Sequence, residues 1–162
     1  MLLEKNLLRA SSESVPPLQR KRNGDEMYTY LRKVQYHETD KMGIVHHANY
    51  IKWMEEARVD FLEQIGLPFQ EIEAAGIASP VAGLSIDYRT PCTFGDTVEI
   101  EVAVEKYTGV QLSVSYTMKN AADGAVVASA SSRHCFLKAG RIVSLKRENP
   151  AFHEILKAQV RD

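Results

Sequence analysis

The chain has 162 residues, 44% of them hydrophobic and 25% charged, with a formal net charge of −1. That length suffices for one domain with a core of its own and falls short of two. The balanced charge gives no electrostatic basis for binding nucleic acid or an anionic membrane, and no window reaches the ~18 consecutive apolar residues of a membrane span.

Residues 1–26 read as a flexible leader. The segment is polar and contains prolines, and Glu4, Lys5 and Asn6 interrupt its leucines, so the apolar stretch of a secretory signal is missing. Met27 is a candidate functional start, with 27–162 as the single domain. YTYLRKVQY (28–36) then alternates as a strand does. A polar stretch, HETDKMGIVHHANY (37–50), leads into ANYIKWMEEARVDFLEQIG, where Ile51, Met54, Ala57, Phe61, Leu62 and Ile65 recur at helical spacing. Asn49 is the expected N-cap and Gly66 the expected stop. Trp53 and Val59 fall off that stripe, which predicts a helix enclosed on more than one face.

LPFQEIEAAG (67–76) predicts a short helical connection. VAGLSIDY (81–88), TVEIEVAVEKY (97–107), QLSVSYTMK (111–119) and AVVASASSRHCFLK (125–138) then read as strands joined by turns at Gly109 and Asp123-Gly124. Val98, Ile100, Val102 and Val104 share one face, opposite glutamates. A turn at Ala139-Gly140, a short RIVSL and a terminal helix capped by Asn149 with Pro150 at its first position close the chain. The pattern predicts an α+β fold: a curved antiparallel sheet of five or six strands wrapped around one long central helix. The two cysteines, Cys92 and Cys135, show no CxxC spacing, and this usage fits a reducing, cytoplasmic setting.

The stretch 37–50 concentrates three histidines and two carboxylates around Gly43. Three chemistries are open to such a cluster: a metal site, an activated nucleophile, or a polar turn. His37, Asp40, His46 and His47 offer nitrogen and oxygen ligands, but adjacent His46 and His47 diverge at a helix start and no HExxH or Cys/His spacing is present. A serine nucleophile has no GxSxG elbow to sit on. A phosphate-binding glycine loop is also missing, which leaves scattered basic groups, Arg89, Arg133, Lys138 and Arg141, to meet a phosphate.

TDKMGIVHHANYIKWMEEAR resembles the signature of hotdog-fold acyl-CoA thioesterases of the 4-hydroxybenzoyl-CoA thioesterase type, and most nearly their bacterial Tol–Pal-associated branch. VAGLSIDYRTPCTFGDTVEI resembles a second, looser element of the same fold, and the likeness runs from about residue 28 to 160. It implies hydrolysis of an acyl thioester to a free acid and coenzyme A. It also implies a homodimer or homotetramer joined through sheet edges, with no metal or organic cofactor. Asp40 matches the catalytic carboxylate, as general base or nucleophile; capping the turn before Gly43 is its other reading. His47 matches the residue whose backbone N–H receives the thioester oxygen. Gly43 lets the backbone approach the substrate, and Tyr36 and Arg89 are candidate substrate contacts. Trp53, Met54, Phe61 and Leu84 are candidate linings for the acyl group. The substrate carrier is coenzyme A or an acyl carrier protein. Two rivals on the same fold are a non-catalytic acyl-thioester binding protein and a hydratase or dehydratase pairing His47 with Glu56.

Overall fold

The computed structural model describes residues 27–161, so the leader expected over 1–26 lies outside the described residues. In chain order the elements are β1 (Tyr28–Lys33), a 3-10 turn (Tyr36–Glu38), α1 (His47–Gln64), α2 (Phe69–Ala74), β2 (Ile77–Ala78) and β3 (Val81–Tyr88). They continue with β4 (Thr97–Tyr107), β5 (Gln111–Asn120), β6 (Val126–Cys135), β7 (Leu137–Lys138), β8 (Arg141–Ile142), α3 (Leu145–Glu148) and α4 (Pro150–Lys157). One antiparallel sheet has five strands in the order β1-β4-β5-β6-β3, and β2-β7-β8 form a small second sheet.

Period-two alternation builds the core face of the large sheet. Val98, Ile100, Val102 and Val104 of β4 are buried, as are Leu112, Val114, Tyr116 and Met118 of β5. Register sets Ile100 opposite Met118, Val102 opposite Tyr116 and Val104 opposite Val114, so both sets face the same side. The apolar face of α1 packs on this side, adding Trp53, Met54, Ala57, Phe61 and Leu62 to the same buried cluster.

Within α1 the buried positions are Tyr50, Trp53, Met54, Ala57, Arg58, Phe61 and Leu62, a single stripe at alternating spacings of three and one. The predicted stripe was therefore out of phase at its start. Ile51 is 43% exposed, whereas Trp53 is fully buried. The expected enclosure on more than one face is not found either, because Lys52, Glu55, Glu63 and Gln64 are also exposed. Two large aromatics near the helix start fix its rotation, and the aliphatic pattern alone does not contain that information. α1 spans 18 residues, while α2, α3 and α4 have 6, 4 and 8.

The caps explain the boundaries. His46, not Asn49, is the N-cap of α1, its Nδ1 accepting the Ala48 N–H at 3.2 Å. At the other end Gly66 takes φ +90°, Gly66 N–H donates to Glu63 and Leu67 N–H to Leu62. That bonding pattern terminates a helix with a left-handed residue, a conformation open to glycine. Asn149 caps α4 as expected, accepting the Phe152 N–H.

One polar chain runs through the core. Tyr116 Oη lies 3.0 Å from Ser132 Oγ, which lies 2.7 Å from His134 Nε2. Burial, reinforced by the Arg58 guanidinium, pushes His134 down to about 4. The folded imidazole is therefore neutral where an unfolded one, titrating near 6.5, takes up a proton. Stability from this residue is complete above about pH 6.5 and declines as pH falls toward 4, with a slope of up to about 1.4 kcal/mol per unit. Urea unfolding of wild type between pH 6.5 and 5 should show this decline, and His134→Gln should flatten it; equal slopes would contradict the assignment.

Candidate active site

The segment between the 3-10 turn and α1 is a narrow antiparallel arm. Asp40 N–H donates to the Ile44 carbonyl at 2.9 Å, and His46 N–H to the Glu38 carbonyl at 2.9 Å. Gly43 N–H closes the tip on the Asp40 carbonyl at 3.0 Å, with Gly43 itself at φ +77°. A side chain there would be strained, which is why the tip carries glycine. The arm is pinned from outside by residues distant in sequence. Thr93 Oγ1 donates to the Gly43 carbonyl at 2.7 Å, and Val45 N–H donates to the Cys92 carbonyl at 2.9 Å. The turn brings Asp40 and His47 to the two sides of one loop.

Asp40 is half-buried, and its Oδ1 accepts the Met42 N–H at 2.8 Å. The turn-capping reading is thus realised by one oxygen, and it coexists with the chemical one. Oδ2 accepts no hydrogen bond among the described residues. One oxygen fixes the carboxylate and the other keeps its lone pairs for a substrate or a water.

His47 opens α1, and its N–H has no acceptor among the described residues. The first amides of a helix lack internal partners and carry the positive end of the helix dipole, so this donor suits an oxygen that is gaining negative charge. Its carbonyl accepts the Tyr88 hydroxyl at 2.9 Å. The exposed imidazole lies beside that of His46, with centroids 4.1 Å apart.

The other predicted residues are less engaged. Tyr36 is 76% exposed and stands edge-on to Phe94 at the rim of the loop. Its hydroxyl makes no hydrogen bond to Asp40; the Tyr36 carbonyl instead accepts Thr39. Arg89 is exposed immediately after Tyr88, and Lys138 is held by Glu148 at 3.0 Å. Trp53, Met54 and Phe61 are buried, whereas Leu84 is exposed on β3. The structure does not pair His47 with Glu56. Glu56 lies nine positions along α1, about 13 Å by helical rise, and its carboxylate contacts Arg32 at 2.8 Å. No group of three or more metal-ligating side chains gathers among the described residues.

The sequence leaves Glu38 as a supporting or surface residue and Asn49 as a cap, and gives no sign that Tyr88 and Thr93 meet this loop. For Glu38 a signal existed. A carboxylate three positions after Gln35, at the start of a turn, has capping-box spacing, and its Oε2 accepts the Gln35 N–H at 2.7 Å.

Residues 34–160 match the sequence profile of the thioesterase-like superfamily. The chain belongs to the thioesterase-like superfamily. A Bacillus subtilis protein provisionally named acyl-CoA thioesterase YneP is 33% identical over 122 residues, 75% of this chain and 88% of its own. A 1,4-dihydroxy-2-naphthoyl-CoA hydrolase of Prochlorococcus marinus is 30% identical over 122 residues, covering 70% of this thioesterase-like chain and 77% of the relative. The solved structure of a DHNA-CoA thioesterase from Staphylococcus aureus superposes with a TM-score of 0.77 at 30% identity, covering 80% of this chain and 88% of that one. The antiparallel sheet with α1 against it is accordingly the hotdog arrangement of these thioesterases.

Proposed function

We propose that this thioester hydrolase acts on acyl-CoA with Asp40 as general base and the His47 amide as oxyanion donor. The observation that carries the reading is the presence, on one loop, of a carboxylate oxygen without a hydrogen bond and a helix N-terminal amide without an acceptor among the described residues. Asp40 Oδ2 takes a proton from water as its oxygen attacks the thioester carbonyl. The carbonyl oxygen, now negative, is received by the His47 N–H. Collapse of the tetrahedral species expels the coenzyme A thiolate, which recovers the proton from Asp40. Tyr88 keeps the first turn of α1 against β3, and the Gly43 tip leaves room for the thioester.

Thiol release from a panel of short, long and aromatic acyl-CoAs, and from an acylated carrier protein, tests this reading. Turnover of one class that disappears with Asp40→Asn is the expected result. Binding without turnover, indifferent to that substitution, would make the chain a binding protein. The names of the Prochlorococcus and Staphylococcus relatives support including a naphthoyl-CoA.

The active form we propose is a homodimer or homotetramer, with α1 as the helix around which the sheet curves. Edge strand β3 supports it, because Val81, Leu84 and Tyr88 are 53%, 43% and 48% exposed along an edge that no strand of the described residues pairs. Leu84→Lys should convert an oligomer into a monomer in light-scattering chromatography; a monomeric wild type would refute the assembly. The motif at 39–58 supports placement in the Tol–Pal-associated branch. The thiols of Cys92 and Cys135, both free, support a cytoplasmic setting. No helix among the described residues is long and apolar enough to cross a membrane.

A further inference from the structure

Glu38 is 4% exposed, yet it carries a carboxylate. Three donors converge on it. Arg32 Nη2 lies 2.6 Å from Oε1, Trp53 Nε1 donates to the same oxygen at 2.9 Å, and the Gln35 N–H donates to Oε2 at 2.7 Å. The main-chain carbonyl of Glu38 has two further donors, the His46 N–H at 2.9 Å and the Asn49 side-chain amide at 2.9 Å. One residue thus joins β1, the 3-10 turn, the N-cap of α1, its first turn and its core-facing tryptophan.

The placement of these five bonds matters more than their number. Asp40 follows Glu38 by two residues, and His47 follows His46 by one. The carbonyl of Glu38 therefore holds the arm that ends in the His47 amide, while its own chain continues into the Asp40 turn. The carboxylate, anchored to Arg32 and Trp53, fixes the direction in which that carbonyl points. Stability alone does not call for a charge here, because apolar groups of similar volume commonly replace buried ion pairs without loss. A buried, charge-assisted node does, however, fix one geometry among several.

We propose that Glu38 is a positioning residue that sets the separation between the Asp40 carboxylate and the His47 amide, with Asn49 as its partner. The inference rests on the reading of those two groups as the reacting pair. Misplacement of a reacting group by about 1 Å costs on the order of 10²-fold in rate. Asn49→Ala, which removes one donor to the carbonyl and leaves the carboxylate anchored, should lower kcat by about 10- to 10²-fold with little change in KM. Glu38→Gln, which retains shape and an acceptor oxygen, should keep more of kcat than Glu38→Ala.

The decisive readout is a double-mutant cycle. Combined with Asp40→Asn, the Asn49→Ala penalty should shrink well below its value in wild type, because there is then no base left to misplace. Penalties that multiply fully, or variants that lose thermal stability while kcat is unchanged, would reduce Glu38 to a structural role. If wild type fails to release thiol from any acyl-CoA, the functional reading falls and the inference falls with it. If wild type turns over and Asn49→Ala matches it, the inference alone is overturned.

Discussion

Asp40→Asn should lower kcat/KM for acyl-CoA hydrolysis by about 10²–10⁴-fold, the usual worth of a general base, and leave the fold intact. The two halves of this expectation come from the two oxygens of one side chain. Asparagine keeps an acceptor for the Met42 N–H, so the turn that presents residue 40 persists. An amide cannot take a proton from water, so the chemistry stops. The loss corresponds to about 3–5 kcal/mol of barrier at 1.36 kcal/mol per tenfold. Single-turnover thiol release, paired with thermal melts of both proteins, separates the effects. A variant as active as wild type would leave Asp40 only its turn-capping role. A variant that melts far below wild type would mean that the carboxylate charge, and not merely its acceptor, holds the loop.

Trp53→Ala should have the largest effect on stability. Trp53 is fully buried, packs against Tyr50 with ring centroids 4.9 Å apart, and has the Arg32 guanidinium 5.9 Å from its ring. Truncating a buried tryptophan to alanine costs about 3–5 kcal/mol, against total stabilities of about 5–15 kcal/mol for domains in general. Here the indole N–H also donates to the buried carboxylate of Glu38, which the truncation leaves short of one donor. Trp53→Phe separates the contributions: it keeps most of the ring packing and loses the donor, for about 1–3 kcal/mol. Urea midpoints of wild type, Trp53→Phe and Trp53→Ala should therefore fall in that order. Equal midpoints for the two variants would mean that the hydrogen bond, and not the ring, carries the effect.

The strands of the large sheet were the most legible part of the sequence. TVEIEVAVEKY read directly as β4, because strict alternation survives in any context where one face is buried; VAGLSIDY also read as β3, although no residue of that edge strand is buried. β2 and α3, of 2 and 4 residues, were not visible; elements that short owe their existence to the neighbours they pair with. The start of α1 was misread because asparagine is the commoner cap, whereas here His46 caps and Asn49 reaches back to the Glu38 carbonyl. In the candidate site, Asp40, Gly43 and His47 could be proposed together from the sequence because they lie close together in one stretch of it. Their outside partners were not. Tyr88 meets His47 across 41 positions and Thr93 meets Gly43 across 50, and no local pattern encodes such contacts.

The route of the chain through the large sheet also implies an order of assembly. β4, β5 and β6 are consecutive hairpin partners, whereas β1 pairs with β4 only after α1, α2, β2 and β3 have intervened. Closing a long loop costs more entropy than closing a hairpin, and distant pairings therefore lag local ones. The β4–β5–β6 meander can form early, with β1 and α1 docking onto a surface already made. The loop bearing Asp40 and His47 is strung between those two late arrivals, so its geometry is completed among the last events of folding. A refolding chain would hold its β4–β5–β6 meander before it could hold a substrate.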